Sequence, residues 1–216
     1  MTGTSTIQLF MLALLCVLLG ESAARQYVLR GPVVIIESAD ETFLNGATPS
    51  KAAVHARQLV HDNEWTTMAT VSVQFKGVPW ANVVSYSDGI GNSAEASTGE
   101  LYFYLTTLDS TGTDLAANPS ASIAISLAQQ GRSKCKMDVE DPTCWKLSMS
   151  GKVVPVPKDK EDFAKKALFS KHPQMEYWPS DHGFQAYMLN IENIVLLDYY
   201  GGAKHIPVDE YYGVKL

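Results

Sequence analysis

A period-two alternation of apolar and polar residues limits the fold of this chain more than any other feature. It runs through residues 69–76, 123–128 and 146–153. Such alternation places one face of a strand against a core and the other toward water, which favours antiparallel pairing. In the first of these segments, the apolar residues that we expect to face the core are Ala69, Val71, Val73 and Phe75.

Three more segments have strand character: Trp80–Tyr86, Leu101–Thr106 and Phe184–Tyr200, the last interrupted near Asn190–Asn193. About six strands with few helices predict a closed or nearly closed barrel, because closure removes exposed strand edges. The fold class is therefore mainly β, a barrel of about six antiparallel strands with flanking helices.

Two amphipathic helices are predicted, one across Lys51–Asp62 and the other across Lys158–Ser170. Ser50 and Asp159 are their expected N-caps, because a side-chain oxygen at that position accepts from a free backbone N–H. The first helix is expected to pack on the first strand through Ala52, Ala56, Leu59 and Val60. The inner face of the second is expected to consist of Phe163, Ala167 and Leu168.

The N-terminus has the pattern of a secretory signal. Leu9–Leu19 is an apolar run of signal-peptide length, too short for a bilayer span, which needs about 20 residues. Small residues Ser22 and Ala24 then match a signal-peptidase site. We expect residues 1–24 to be a signal peptide, 25–49 an N-terminal arm and 50–216 one barrel domain, with the protein secreted or lumenal. A buried N-terminal helix is the alternative.

Charge argues against a nucleic-acid partner. Loss of Glu21 with the signal changes the net charge from −6 to −5, with 17 basic and 22 acidic residues left and no Lys/Arg cluster. Nucleic-acid binding depends on a basic surface that releases counterions. No second apolar run approaches spanning length, so we expect no membrane insertion after cleavage.

Cys135 and Cys144 are the cysteines left after signal removal. In an oxidising compartment their short spacing predicts a disulfide that closes a small loop. Half of a zinc site is the alternative, but no second Cys pair or His-x-His partner lies nearby. The chain has no Asn-x-Ser/Thr glycosylation site, because Pro119 blocks the one at Asn118.

No catalytic, cofactor-binding or metal-binding residues are predicted. Gly89–Ala94 has dinucleotide-loop spacing but leads into a strand instead of the required helix. The histidines lack metal-ligand spacing and are expected to be surface or capping residues. The basic residues of the barrel region are scattered: Arg57, Lys76, Arg132, Lys134, Lys136, Lys146 and Lys152. An aromatic-rich C-terminal third could form core, a ligand pocket or a partner surface.

The chain resembles the CREG family of secreted glycoproteins from about Ala52 to Tyr212. The resemblance lies in an ordered series of blocks: WTTMAT (65–70), LYFYL (101–105), Asn118–Pro119, SLAQ (126–129), ALFSKHP (167–173), LLDYYGG (196–202) and EYY (210–212). It implies a split β-barrel like that of flavin mononucleotide (FMN)-dependent oxidoreductases such as pyridoxamine phosphate oxidase. It also implies a homodimer in which flavin binding is lost, partly because a loop, here the Cys135–Cys144 segment, enters the cleft.

The resemblance favours a non-enzymatic, secreted or endolysosomal homodimer that binds a protein partner or receptor in growth and differentiation control. An FMN-dependent oxidoreductase of the pyridoxamine phosphate oxidase type is the alternative, and a nuclear transcriptional repressor comes third. Family members usually carry N-glycans, whereas Glu192 stands where the sequon of LNIENI (189–194) would need Ser or Thr.

Overall fold

Six antiparallel strands close into a barrel in the computed structural model, which describes residues 48–131 and 133–216. The strands are β1 (Trp65–Val71), β2 (Pro79–Gly89), β3 (Ser97–Leu105), β4 (Ser120–Ser126), β5 (Lys146–Pro155) and β6 (Gln185–Leu197). Their order is β3-β2-β1-β4-β5-β6, and pairing of β3 with β6 completes the barrel. The short strand β7 (Lys204–His205) extends the sheet beyond β6. The predicted six-stranded barrel is confirmed.

Residues 1–47 and Arg132 lie outside the described residues. The predicted signal peptide and almost all of the predicted N-terminal arm fall there. In the part of the chain that the structure describes, no helix is long and apolar enough to cross a membrane.

Within residues 48–131 and 133–216, four α-helices flank the barrel: α1 (Lys51–His61), α2 (Ser110–Ala117), α3 (Glu161–Lys171) and α4 (Val208–Gly213). The Ser50 side chain caps α1, as predicted, by accepting from the Ala53 N–H. However, α1 buries Ala53 rather than Ala52, and it contacts α4 and β3 more than β1. The prediction that it packs on the first strand is therefore wrong.

The second predicted helix starts later than expected. Its N-cap is Lys160, which makes no side-chain capping bond, so the prediction of Asp159 as the cap is wrong. Ala167 and Leu168 are fully buried as expected, whereas Phe163 is 37% exposed and packs edge-on against Tyr102. This helix lies over β2 and β3 and covers one side of the barrel.

The alternation correctly assigned the faces of β4 and β5. Ile123, Ile125, Leu147, Met149 and Val153 are all buried in the barrel core. In β6 the predicted interruption is a register shift opposite Ser150 and Gly151. Gly151 is required there because a Cβ at this position would lie 2.0 Å from the Asn190 carbonyl oxygen.

The alternation assigned β1 to the wrong face. Thr66, Met68 and Thr70 point inward, while Val71 is exposed. The strand ends at Val71, so the prediction of strand through residue 76 is wrong, and Val73 and Phe75 lie exposed in the turn that follows. The buried threonines are accommodated because their hydroxyls have acceptors: Thr66 donates to the Ala124 carbonyl and Thr70 to the Asp114 carboxylate. Polar groups that are hydrogen-bonded can be buried at little cost. The strand therefore leaves its apolar side outside the barrel.

Candidate functional site

The Cys135–Cys144 loop is closed by a disulfide, with the two Cα atoms 5.0 Å apart. Cys144 is 1% exposed and precedes β5, so the bridge joins the loop to the barrel wall. The loop itself exposes Met137 and Val139 to solvent. It is a surface element with one firmly anchored end.

A lysine at the start of β5 holds the far side of this loop. The Lys146 ammonium donates to the backbone carbonyls of Val139, Glu140 and Asp141, at 3.2, 2.7 and 3.3 Å. The Asp141 carboxylate accepts from Thr143 and from the Tyr200 hydroxyl. These hydrogen bonds, those from Thr143 foremost, lower the pKa of Asp141. The loop is therefore fastened by polar contacts as well as by the disulfide.

A buried carboxylate supports the base of the loop. The ring of His55 stacks on Trp145, with centroids 3.8 Å apart, and its Nδ1 lies 2.8 Å from Asp198 Oδ2. Lys204 donates to the other oxygen of Asp198 at 2.6 Å. Burial would raise the pKa of Asp198, but the bonds from Lys204 and His55 outweigh it and lower that pKa. The cluster joins α1, β6 and β7 to the disulfide loop.

Three of the basic side chains of the barrel region are held by groups of the protein itself. Arg57 is buried among backbone carbonyls, Lys146 is held by the loop, and Lys152 donates to Ser120. A flavin phosphate needs several convergent donors. Without rearrangement, these three side chains do not converge on a common phosphate site.

Three of the five histidines join neighbouring elements through side-chain hydrogen bonds. His55 bonds to Asp198, His61 to Asp88, and the buried His172 to the Tyr86 carbonyl. His172 is 6% exposed and is the C-cap of α3, so it fits the prediction as a capping histidine although it is buried. Among residues 48–131 and 133–216, no cluster of three or more His, Cys, Asp or Glu side chains could hold a metal.

The most unusual surface is the outer face of β1 and β2, which we call the β1–β2 outer face. It consists of Trp65, Thr67, Ala69 and Val71 on β1 and Pro79, Ala81 and Val83 on β2. Trp65 is 41% exposed and Val83 62%. Exposed apolar patches of this kind commonly mark interaction sites.

A shallow groove of about 330 Å³ continues from this face across β4, β5 and β6. Small side chains line it, among them Ser120, Ser122 and Ser150, with Lys152 and Glu192 as its charged members. Ser122 pairs with Ala69 on one side and Ser150 on the other. Few side chains consequently protrude from this part of the outer wall.

Comparison with known proteins identifies the family. A family model described as "CREG, beta-barrel" matches residues 47–213. The chain belongs to the CREG family. Protein CREG1 of chicken (Gallus gallus) is 41% identical over 170 residues, which cover 77% of this chain and 88% of that protein. Human Protein CREG1 is 40% identical over 168 residues, covering 76% and 75% of the two chains.

Solved structures share the barrel at low sequence identity. A heme binding protein from Mycobacterium smegmatis superposes with a TM-score of 0.61 at 20% identity, covering 77% of this chain and 62% of that one. ChuZ of Campylobacter jejuni gives a TM-score of 0.57 at 10% identity, covering 73% and 59%. At these identities the likeness concerns the fold alone. The barrel fold is thus shared with these two proteins.

The Cys135–Cys144 disulfide should restrict the opening of its loop, and hydrogen exchange can measure this. We expect mass spectrometry of secreted protein to find Cys135 and Cys144 linked, and Cys144→Ser to speed hydrogen exchange in residues 133–145. The barrel should lose little stability, because the bridge closes a short loop and Lys146 still holds it. Free alkylation of both thiols without reduction would contradict the bridge. Lys136→Ser, a loop change that keeps both cysteines, is the control.

Proposed function

We propose that this protein is a non-enzymatic homodimer that acts by binding other proteins, after export to the extracellular or endolysosomal space. The single observation that carries the dimer is the β1–β2 outer face, an apolar strand face left outside its own barrel. Burial of exposed apolar area is the main driving force of most protein–protein association. A second copy of the chain presents the same face, and a two-fold axis can bring the two together.

The form of this surface supports a second copy as its occupant. The side chains of Ala69, Ala81, Ser122 and Ser150 are short and follow one another across four strands. Two such walls can approach closely, with Trp65 and Val83 as the larger contacts. The family resemblance also favours a homodimer over a different partner on this face.

The dimer is tested by one substitution on this face. Val83→Asp should give a folded monomer at micromolar protein, because it buries an unpaired carboxylate in the interface. Sedimentation equilibrium should give twice the monomer mass for the wild type. Tyr177→Asp is the control: it introduces the same charge at a residue that lies outside this face and is 81% exposed, so the variant should remain dimeric. A monomeric wild type, or loss of the dimer in Tyr177→Asp alone, would refute this interface.

The non-enzymatic part of the proposal draws on the engaged basic side chains and on the absence of a catalytic arrangement among the described residues. The alternative, an FMN-dependent oxidoreductase, draws on barrel type alone. Titration calorimetry with FMN should therefore detect no saturable binding below roughly 100 μM, equivalent to about −5.5 kcal/mol. Micromolar binding, or flavin absorbance that persists through gel filtration, would favour the oxidoreductase.

A second titration separates two reasons for weak flavin binding. In Cys144→Ser the loop keeps its Lys146 contacts but loses its covalent closure. FMN binding that appears only in this variant would mean that the site is intact and covered by the loop. Continued lack of binding would agree with the missing phosphate donors.

Export is supported by sequence features and by chemistry. The signal-like segment at residues 1–24 and the paired cysteines both suit an oxidising compartment. The chain has no N-glycosylation sequon, so any delivery to lysosomes would have to use a route that does not depend on an N-glycan.

A further inference from the structure

The turn between β1 and β2, residues 72–78, carries an unusual density of exposed apolar side chains. Val73 is 49% exposed, Phe75 45% and Val78 56%. The ring of Phe75 also contacts Trp80, with centroids 5.4 Å apart. Turns on protein surfaces are ordinarily polar, because their exposed side chains face water.

The backbone of this turn is nearly self-sufficient in hydrogen bonds. The Ser72 N–H donates to the Val78 carbonyl at 3.0 Å, and the Gly77 N–H donates to the Ser72 carbonyl at 2.7 Å. The Val73 N–H donates to the buried Asp114 carboxylate at 2.7 Å, and the Phe75 N–H donates to the Ser72 hydroxyl. Lys76 and Val78 donate within the turn as well. Such satisfied polar groups are what a segment needs to enter an apolar medium.

The charge of the turn differs from that of the rest of the chain. Residues 72–80 contain one lysine and no acidic residue, although the whole chain has a net charge of −6. Lys76 lies at the apex with φ of 54°, next to Gly77 with φ of 92°, and makes no ion pair among the described residues. Its ammonium is thus free to meet an external anion.

We infer that this turn is a membrane-contact site that inserts shallowly into the surface of a bilayer containing anionic lipid. Val73, Phe75 and Val78 supply the apolar area that enters the interface. Lys76 supplies attraction to the headgroups, since a long lysine side chain keeps its charge at the polar level while its stem is buried.

A bilayer suits these features better than a second copy of the chain does. A second copy would bring another Lys76 against the first, whereas anionic lipid complements the charge of Lys76. The contact is peripheral and needs no spanning segment. It does modify the sequence-based expectation that the mature protein stays out of membranes.

The test uses vesicles and the full mature protein. Wild-type protein should float with vesicles of phosphatidylcholine and phosphatidylserine, and less with phosphatidylcholine alone. Phe75→Asp should lower the partition coefficient roughly tenfold or more, the effect of keeping one large apolar side chain in water. Lys76→Gln should remove most of the preference for phosphatidylserine, and added salt should do the same to the wild type.

Two control variants, Phe75→Trp and Tyr177→Asp, separate loss of the apolar contact from a general effect of the substitution. Phe75→Trp should bind like the wild type, and its added fluorescence should be quenched by brominated lipid. Tyr177→Asp adds the same charge at an exposed aromatic elsewhere and should bind normally. Wild-type protein that stays with neither vesicle type, or Phe75→Asp that binds fully, overturns the proposal. Loss of the dimer in Phe75→Asp would instead assign the turn to an interface between copies, which also overturns it.

Discussion

Replacement of Arg57 by methionine is expected to destabilise the protein by about 3 kcal/mol or more, one of the two largest effects that we predict. The Arg57 side chain is 1% exposed. Its guanidinium donates to the carbonyls of Tyr211, Val214 and Ser97, the last two at 3.0 Å. Methionine fills similar space but leaves these acceptors without donors. The C-terminal helix α4 would then lose its bonds to Arg57 and keep the bond that the Tyr211 hydroxyl donates to the Gly99 carbonyl of β3.

Urea denaturation of the wild type and Arg57→Met gives the difference in unfolding free energy. Hydrogen exchange in Arg57→Met should increase first in α4, because Arg57 on α1 donates to the carbonyls of Tyr211 and Val214 at the end of α4. Lys51→Met, an exposed cation on the same helix, is the control and should change stability by less than about 0.5 kcal/mol. A loss below about 1 kcal/mol in Arg57→Met would contradict the role assigned to this residue.

The strand pattern predicted the barrel well but could not assign every face. In β4 and β5 the buried positions are Ile, Leu, Met and Val, so periodicity and polarity agreed. In β1 the polar positions turned inward because Thr66 and Thr70 find acceptors on β4 and α2. These acceptors lie 58 and 44 residues away in the sequence. The local pattern therefore predicted the alternation of β1 but not which of its two faces points into the barrel.

The two buried cations, Arg57 and Lys171, were missed in the sequence analysis for different reasons. Arg57 was grouped with scattered basic residues, although its spacing from Ala53 and Val60 already places it on the buried stripe of α1. Lys171 ends α3, a position where cations are normally solvated and favoured by the helix dipole. Its burial depends on Asp88, which lies on β2 and is 83 residues away in the sequence. The disulfide, by contrast, needed only two nearby cysteines and was predicted from the sequence.

Asp88→Asn is expected to cost about 3–5 kcal/mol at neutral pH, because it leaves a buried ammonium without its counter-charge. Asp88 and Lys171 are 1% and 2% exposed and lie 2.9 Å apart. Ser97 donates to the second carboxylate oxygen of Asp88, and His61 Nδ1 lies 3.3 Å from it. The amide of asparagine keeps the shape but not the charge. The double variant Asp88→Asn with Lys171→Met should recover part of the loss, since it removes both ions.

The stability difference between wild type and Asp88→Asn should also depend on pH in a defined direction. Burial alone would raise the pKa of Asp88, but attraction to Lys171 and the bonds from Ser97 and Lys171 outweigh it and lower that pKa. A lowered native pKa gives stability that is present above the unfolded-state pKa of about 3.9 and is lost as pH falls through the native value. The difference should therefore persist above about pH 4 and shrink in stronger acid.

Urea denaturation of both proteins from pH 7 to pH 2.5 measures this dependence. Asp141→Asn is the matched control, because Asp141 also has a lowered pKa but lies on the exposed loop. Its hydrogen bonds are solvent-screened, so its removal should change stability little at any pH. An Asp88→Asn difference that stays constant down to pH 2.5 would mean that the carboxylate acts through packing alone. A difference that fades in acid would identify the ionised Asp88–Lys171 pair as the charge that holds α3 to β2.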